Sequence, residues 1–304
     1  MKMQSNISVV IPVMNEIIHI ERSVRSALRL TPYVFVVDSA SIDGTAEKAE
    51  SLGAKVLQYD WTTFSNFSKK MSWALRNLPI ETTWVLRLDA DEYFPENTIQ
   101  RLPKELENLE PGINGVTLNR RVHFQGRWMK HSGQYPRPMV RVTRLGFAEY
   151  ESRWLDEHVS VQGDTIADLS LDFVDDSLIS ISQWIEKHDS YSTKEAIEML
   201  HKEIGLFQRD SSSNNIGRFA EKVKKEKLIY ARMPLYWRAC FYFAYRYFIK
   251  LGFLDGYQGF LWNFFQGWWY RTLVDAKIHE IKEACGSDEL QIKAYLKRKY
   301  SISI

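Results

Sequence analysis

The motif Asp89-Ala-Asp91 carries the residues whose type and spacing point most directly to chemistry. It directly follows Thr83–Leu88, a short apolar run that predicts a buried strand. Two acids at positions i and i+2 beyond a strand can ligate Mg²⁺ or Mn²⁺, since these ions prefer hard oxygen ligands and share them with phosphate. The alternative is a solvated acidic turn, the more common role of an isolated Asp-x-Asp.

Two further polar clusters follow predicted strands. Asn15-Glu16 comes after the apolar run Ile7–Val13, and Asp38 ends the next predicted strand. Ligands of open α/β sheets bind beyond the carboxyl ends of the strands, so the three clusters together favour a nucleotide site. Asp38 can accept hydrogen bonds from a base or ribose, or it can hold its own loop as an Asx-turn. Asn15-Glu16 can contact the nucleotide or cap the next helix.

Four predicted strands alternate with helices over the N-terminal part of the chain, which favours a parallel sheet covered by helices. Beyond residue 113, short strand-prone pieces separated by Gly and Pro predict added strands that close one side of the site. From Ser180 onward the pattern is helical. We therefore expect an α/β fold with a mostly parallel sheet in residues 1–175, followed by a helical region in residues 176–304.

Composition and missing motifs exclude several function classes. The formal net charge of +2 gives no general attraction to nucleic acid, although residues 217–304 carry +8 and residues 1–216 carry −6. Two cysteines favour a reducing, cytoplasmic compartment, and the first apolar run lacks the features of a signal peptide. No Gly-x-Gly-x-x-Gly and no Walker motif follows the first strand, so dinucleotide and P-loop chemistry are disfavoured.

Three motifs in order resemble the inverting family-2 glycosyltransferases, which have a GT-A, Rossmann-like fold. They are ISVVIPVMNE at 7–16, VVDSASIDGT at 36–45 and WVLRLDADE at 84–92. The resemblance covers roughly residues 5–160 and is greatest for the bacterial lipopolysaccharide-core and capsule glucosyltransferases. Two other segments resemble that branch, Trp61–Lys70 and Gln183–His188.

The resemblance implies a nucleotide-diphosphate-sugar donor, with UDP-glucose as the default. Asp89 would lie near the ribose or the donor sugar, and Asp91 would ligate Mg²⁺ or Mn²⁺. Lys69 would approach the donor, or else face solvent on its helix. The residues expected to hold the nucleoside are Pro12, Asn15, Glu16 and Asp38.

Inverting transfer needs a base that takes the proton of the attacking acceptor hydroxyl. The resembled branch often has a His-Glu pair after the Asp-x-Asp strand, where this chain reads Trp154-Leu-Asp-Glu-His158. We predict Glu157 as the base, with Asp156 as the second choice and His158 as a possible orienting partner. A charged loop without a catalytic role is the alternative.

A basic, aromatic-interleaved stretch follows the acidic motif and could bind an anionic acceptor or the donor diphosphate, since Arg suits phosphate. A solvated loop is an equally good interpretation. Trp184, His188 and Tyr191 share one helical face, where core packing is favoured. The basic stretch contains Arg120, Arg121, His123, Arg127, Lys130, His131, Arg137, Arg141 and Arg144.

Residues 235–270 hold 17 of the chain's 41 aromatic residues. The longest uncharged run, Gly256–Tyr270, is shorter than the roughly 18–20 apolar residues that span a bilayer. Trp and Tyr favour the membrane–water boundary, and a basic flank attracts anionic lipid. We therefore predict an interfacial segment on an anionic membrane surface, with a buried aromatic core or an oligomer interface as alternatives.

The leading hypothesis is therefore an inverting glycosyltransferase that is peripheral on the inner face of the bacterial plasma membrane. Its acceptor would be a lipid-linked or envelope saccharide, and a homo-oligomer is possible because exposed aromatics promote association. A polyprenyl-phosphate sugar synthase is the second hypothesis, and it would need no strong base. A non-catalytic nucleotide-binding scaffold at the membrane is the third.

Overall fold

The computed structural model describes residues 6–61, 66–150, 159–163, 165–206 and 218–302. The chain divides into two compact units. The first holds most of residues 1–178, and the second holds most of residues 179–304.

Strands and helices alternate through the N-terminal part, as the sequence predicts. All seven residues of the first strand are buried, which is typical of β-branched strands covered on both faces. The elements are β1 (Ile7–Val13), α1 (Ile17–Leu30), β2 (Val34–Asp38), α2 (Thr45–Ser51), β3 (Lys55–Gln58), α3 (Phe67–Asn77) and β4 (Trp84–Arg87).

The remainder of the first unit adds strands, as predicted. Five of them join the same sheet, whereas β9 and β10 pair with each other in a separate two-stranded sheet. One helix opens after Pro95, whose fixed φ is compatible with a helix start. The elements are β5 (Glu92–Tyr93), α4 (Glu96–Glu107), β6 (Gly115–Phe124), β7 (Arg127–Trp128), β8 (Pro138–Arg144), β9 (Ala148–Tyr150), β10 (Val159–Val161) and β11 (Ile166–Asp176).

The main sheet has the strand order β3-β2-β1-β4-β8-β6-β11-β5, with β7 paired to β6. The four N-terminal strands are parallel to one another. The added strand β8 runs antiparallel to both β4 and β6, and β6 and β11 are parallel. Val13 pairs with Asp38, so β1 and β2 end side by side. The predicted α/β fold with a parallel N-terminal sheet is therefore confirmed.

One face of α1 anchors this sheet. Ile20, Val24 and Ala27 are fully buried at helical spacing in the main core, which also contains Ile11 and Leu86 from neighbouring strands. Burial of such an apolar stripe is the usual source of helix stability in a globular domain. The core therefore fixes the strand ends from which the polar clusters project.

The second unit is helical, as predicted. Its first helix begins with a capping box formed by Ser180 and Gln183. Within the described ranges, no helix has the length and apolar character needed to cross a bilayer. The elements are α5 (Ile181–Ile204), α6 (Arg218–Ala231), α7 (Trp237–Ala244), a π-helical turn (Tyr245–Ile249), a 3₁₀ turn (Gly252–Asp255), α8 (Gly256–Trp262), a second π-helical turn (Asn263–Trp269), α9 (Tyr270–Cys285) and α10 (Glu289–Tyr300).

Candidate functional site

The ends of three adjacent parallel strands bring the predicted polar clusters to one edge of the sheet. Pro12 lies on β1 and Asn15-Glu16 follows it, while Asp38 ends β2. Asp89 and Asp91 lie in the turn that follows β4, the neighbour of β1 on its other side. The strand order thus brings together residues that are more than 70 positions apart in the sequence.

A buried lysine occupies the centre of this edge. Lys70 is 3% exposed, and its Nζ donates a hydrogen bond to the carbonyl oxygen of Val13 at 2.7 Å. Burial lowers the pKa of Lys70 to about 8, although the carboxylates of Asp38, Asp89 and Glu16 oppose that shift. An ammonium group close to three carboxylates suits a diphosphate in complex with a cation.

Lys69, the lysine predicted from the sequence, is exposed, and its approach to the donor stays a prediction. Its buried neighbour Lys70 was not singled out from the sequence. The apolar positions Phe67, Met71 and Ala74 mark the inward face of α3. Lys70 lies three residues after the first and four before the last, so it shares that face. The periodicity of the helix was therefore the signal that could have identified it.

Asp38 and Asn15 hold the loop that follows β2. The Ser41 backbone N–H and the Ser41 hydroxyl both donate to the Asp38 carboxylate. Asn15 has a left-handed φ of 55° and accepts the Ile42 N–H on its Oδ1 at 2.9 Å. Asp38 therefore holds its own loop, as the Asx-turn alternative predicts. Its contact with a nucleoside stays a prediction.

Glu16 is linked through a histidine to the end of the first unit. Leu178 N–H donates to His19 Nε2 at 2.9 Å. A neutral His19 must therefore carry its proton on Nδ1, which lies 2.6 Å from Glu16 Oε2. This chain of hydrogen bonds fixes the direction of the Glu16 carboxylate at the end of β1.

Asp89 is held by two arginines. Arg87 forms a two-pronged contact, with Nε 2.9 Å from Oδ1 and Nη2 3.0 Å from Oδ2. Arg141, from β8, reaches Oδ2 at 3.3 Å. These cations hold the pKa of Asp89 well below its usual range, even though burial alone would raise it. The side chain is therefore an oriented anion in this structure.

Glu92 holds the acidic turn in place, and its role was not predicted from the sequence. It is buried, accepts the Asp89 N–H at 2.9 Å and contacts Arg141 Nη2 at 2.5 Å. Burial raises its pKa to about 8; Arg141 opposes the shift, while Asp89 adds to it. Arg141 thus bridges Glu92 and Asp89 and fixes the turn that presents Asp91.

The turn also fits a cation that is shared with phosphates. The Asp91 backbone carbonyl accepts the Asp176 N–H at 3.1 Å, which anchors the turn to β11. Among the described residues, no three His, Cys, Asp or Glu side chains are grouped to enclose a metal. Mg²⁺ and Mn²⁺ need no such cage where one or two carboxylates act together with substrate phosphates. The assignment of Asp91 as the ligand of such a cation stays a prediction.

Several arginines of the predicted basic stretch form internal ion pairs, which neither sequence interpretation anticipated. Arg120 Nε lies 2.7 Å from Asp175 Oδ2, and Arg121 pairs with Asp172. Both partners lie on β11, beside β6 in the sheet. These two guanidinium groups therefore stabilise the added strands.

Three predicted residues, Asp156, Glu157 and His158, lie outside the described residues. The assignment of the base therefore stays a prediction. In the second unit, Trp184 is buried, and His188 packs between Trp184 and Tyr191. This is the core packing that the sequence favoured.

One helix of the second unit exposes large apolar side chains. We name the aromatic face as the exposed residues of α7 and the π-helical turn after it, where Trp237 is 65% and Ile249 is 70% exposed. Trp262 and Tyr270, by contrast, are buried. The buried-core interpretation thus holds for part of residues 235–270 only. The aromatic face consists of Trp237, Phe241, Tyr245, Phe248 and Ile249.

Comparisons with known proteins find relatives whose sequences are similar to this chain. The chain is 25% identical over 285 residues to an uncharacterized glycosyltransferase of Rickettsia bellii, a match that covers 92% of this chain and 88% of the relative. It is 27% identical over 214 residues to another from Rickettsia conorii, covering 64% of this chain and 70% of that one.

Among solved structures, glucosyl-3-phosphoglycerate synthase from Mycobacterium tuberculosis, in complex with Mn²⁺, UDP-glucose and phosphoglyceric acid, matches with 26% identity and a TM-score of 0.33. The match covers 38% of this chain, and the chain spans less than half of that enzyme, 43%. The sequence model described as glycosyl transferase family 2 matches residues 8–171. This segment is more than half of the sequence and contains all three polar strand ends, so the chain belongs to glycosyl transferase family 2 and is a glycosyltransferase.

Proposed function

We propose that this protein transfers a sugar, with inversion, from a nucleotide-diphosphate-sugar to a lipid-linked or cell-envelope saccharide. UDP-glucose is the default donor, and the reaction is a single displacement. The observation that carries the proposal is the position of Lys70 among the Glu16, Asp38 and Asp89 carboxylates at the ends of three parallel strands. This arrangement offers one ammonium group to a diphosphate and several acids to ribose hydroxyls and a cation.

The proposed donor site divides between nucleoside and diphosphate. Pro12, Asn15, Glu16 and Asp38 hold the nucleoside beyond β1 and β2, and Asp89 hydrogen-bonds ribose or sugar hydroxyls. The diphosphate faces Lys70, which binds it as a point charge. Asp91 holds Mg²⁺ or Mn²⁺. When bound, the cation neutralises charge that develops on the departing diphosphate.

Transfer requires a base on the opposite side of the sugar. Glu157 takes the proton of the acceptor hydroxyl as its oxygen bonds to the anomeric carbon, and the bond from that carbon to the diphosphate oxygen breaks. Asp156 is the second choice, and His158 would orient the carboxylate. The resemblance to the lipopolysaccharide-core and capsule enzymes supports this assignment.

The second unit supports a membrane-bound acceptor. Asp255 is the single acidic residue of segment 235–270, and it is 2% exposed, whereas Lys250 is exposed. An exposed apolar face without exposed acids in its segment suits an anionic lipid surface, with aromatic rings at the headgroup level. We place the protein on the inner face of the bacterial plasma membrane.

The donor assignment is tested by a thermal-shift screen of nucleotide-sugars with Mn²⁺, since a ligand that binds the folded state raises its stability. UDP-sugars should raise Tm in Mn²⁺ and lose this effect in EDTA. Proton NMR of the product should show an inverted anomeric centre. Retention of configuration, or the absence of a shift with any nucleotide-sugar, would contradict the proposal. Transfer to polyprenyl phosphate alone would identify a polyprenyl-phosphate sugar synthase instead.

A further inference from the structure

A buried arginine belongs to the same π-helical turn as Tyr245, Phe248 and Ile249 of the aromatic face. Arg246 belongs to the π-helical turn Tyr245–Ile249 and is 5% exposed. Its Nε and Nη2 make no hydrogen bond to any residue in the described part of the chain. A guanidinium carries five N–H donors, so much of its hydrogen-bonding capacity is unused at a buried position.

The matched residue on the same helix shows what Arg246 lacks. Arg238, two helical turns earlier, is equally buried, and its Nε donates to Asp275 Oδ1 at 2.8 Å. Arg271 pairs in the same way with Glu195, which also accepts the Tyr270 hydroxyl. The carboxylates that serve these arginines are thus engaged, and within the described residues no carboxylate forms an ion pair with Arg246.

Within the described residues, the neighbours of the Arg246 guanidinium are neutral groups and another cation. The Tyr242 ring centroid lies 5.4 Å from its Cζ, and the Tyr242 side chain is also its hydrogen-bond partner. A Cβ at Gly267, in the second π-helical turn, would lie 3.7 Å from Arg246 Nη1. Burial lowers the pKa of Arg246, Tyr242 opposes the shift, and Arg271 adds to it.

A buried cation without a counter-charge is unfavourable, so an anion that reaches it offsets the cost of desolvation. The guanidinium fork matches the oxygens of a phosphate group. The aromatic face comes from the same helix and turn as Arg246, which indicates a ligand that has an apolar part as well as a phosphate. π-helical turns are rare and occur often at functional sites.

We infer that Arg246 binds the phosphate of an anionic membrane lipid whose acyl chains lie against the aromatic face. This site deepens the membrane attachment proposed above and rests on it, but it does not depend on the transfer chemistry. It converts a general attraction to the membrane surface into a contact with one headgroup.

The test measures binding of the full-length chain to phosphatidylcholine vesicles with and without phosphatidylglycerol, at low and high salt. Arg246→Met should weaken the phosphatidylglycerol-dependent binding by about tenfold or more, because it removes charge-assisted hydrogen bonds. That loss should persist at high salt, since a buried contact is weakly screened. Lys250→Gln is the matched control, and its roughly fivefold loss should disappear at high salt.

A second variant guards against misfolding. Arg246→Lys keeps the positive charge but loses the planar guanidinium that can donate two parallel hydrogen bonds. It should bind phosphatidylglycerol vesicles several-fold more weakly than wild type, at the same Tm. Arg246→Met should raise Tm in the absence of lipid, because it removes an unpaired buried cation. A merely structural arginine would lower Tm on substitution and leave the binding of folded protein unchanged.

Defined outcomes would overturn the inference. Wild-type vesicle binding by either Arg246 variant would do so, as would equal thermal stabilisation of wild type by inorganic phosphate alone, which would indicate a free-phosphate site. Self-association without vesicle binding, seen by light scattering, would assign the face to a second copy. Stabilisation of the Arg246 variants by nucleotide-sugar and Mn²⁺ should be unchanged. A failed donor screen would count against the proposed function and not against this site.

Discussion

The Lys70 ammonium donates a hydrogen bond of 2.7 Å to the carbonyl oxygen of Val13, which lies 57 residues earlier in the sequence. This contact joins α3 to the carboxyl end of β1. It places a positive charge where a parallel sheet normally receives its ligand. The consequences for donor binding can be measured.

Lys70→Met should weaken UDP binding in Mn²⁺ by about tenfold or more, because it removes a charge-assisted contact to phosphate. Lys69→Met is the matched control, since its side chain is exposed on the same helix, and we expect a change within about twofold. Isothermal titration calorimetry measures both. Equal losses in the two variants would show that Lys70 has no special role.

Donor affinity should also depend on pH through Lys70. The pKa of Lys70 is lowered from 10.5 to about 8. Lys70 is therefore fully protonated well below pH 8 and loses its proton as the pH rises through that value. UDP affinity should therefore fall across this range, and bound diphosphate should move the fall to higher pH. Titrations at several pH values should show a flatter profile for Lys70→Met than for wild type.

The same shift has an opposite effect on folding. Between about pH 8 and 10.5 the unfolded chain binds more protons at Lys70 than the folded chain does. The contribution of this group to the free energy of unfolding therefore rises with pH in that window. Urea denaturation at several pH values in this window should show a free energy of unfolding that rises more with pH for wild type than for Lys70→Met.

Asp91→Asn should remove the Mn²⁺ dependence of donor binding, because a neutral amide is a weaker ligand for a hard cation than a carboxylate. Titration of UDP with and without Mn²⁺ measures this directly. Glu110→Gln replaces an exposed acid of the same unit and should keep the full dependence. Strong Mn²⁺-dependent binding by the Asp91 variant would move the cation site elsewhere.

Glu157→Gln should abolish transfer and leave UDP binding in Mn²⁺ unchanged, because the base acts on the acceptor and not on the donor. Asp156→Asn is its matched comparison and should retain most of the activity. The reverse pattern would make Asp156 the base. Near-wild-type rates in both variants would exclude this pair of acids from the proton transfer.

Arg141→Met should destabilise the first unit by about 3 kcal/mol, because it leaves Glu92 buried without its cation. Arg144→Met removes an arginine whose Cζ lies 4.5 Å from the Trp84 ring centroid, and it should cost about 1 kcal/mol. Urea denaturation followed by circular dichroism measures both losses. Similar values for the two variants would mean that the Glu92–Arg141 pair adds no special stability.

Much of the first unit could be predicted from local patterns. The strand Ile7–Val13 lies where the sequence placed it, since buried strands have short-range signals. The three polar strand ends were expected to lie together, because ligands of parallel sheets bind beyond the carboxyl ends of the strands. The basic stretch was different, because the acids that pair with Arg120, Arg121 and Arg141 lie 49 to 55 residues away in the sequence.

The sequence by itself determined the α/β fold class, the family motifs and the concentration of aromatic residues in segment 235–270. These features depend only on neighbouring residues and on periodicity along the chain. Only the tertiary structure decided that Lys70 lies among the carboxylates and that Arg141 bridges Asp89 and Glu92. It also decided that Arg238 pairs with Asp275, while no carboxylate in the described part of the chain pairs with Arg246. Each of these depends on which distant charge is brought within a few ångströms in a site from which water is largely excluded.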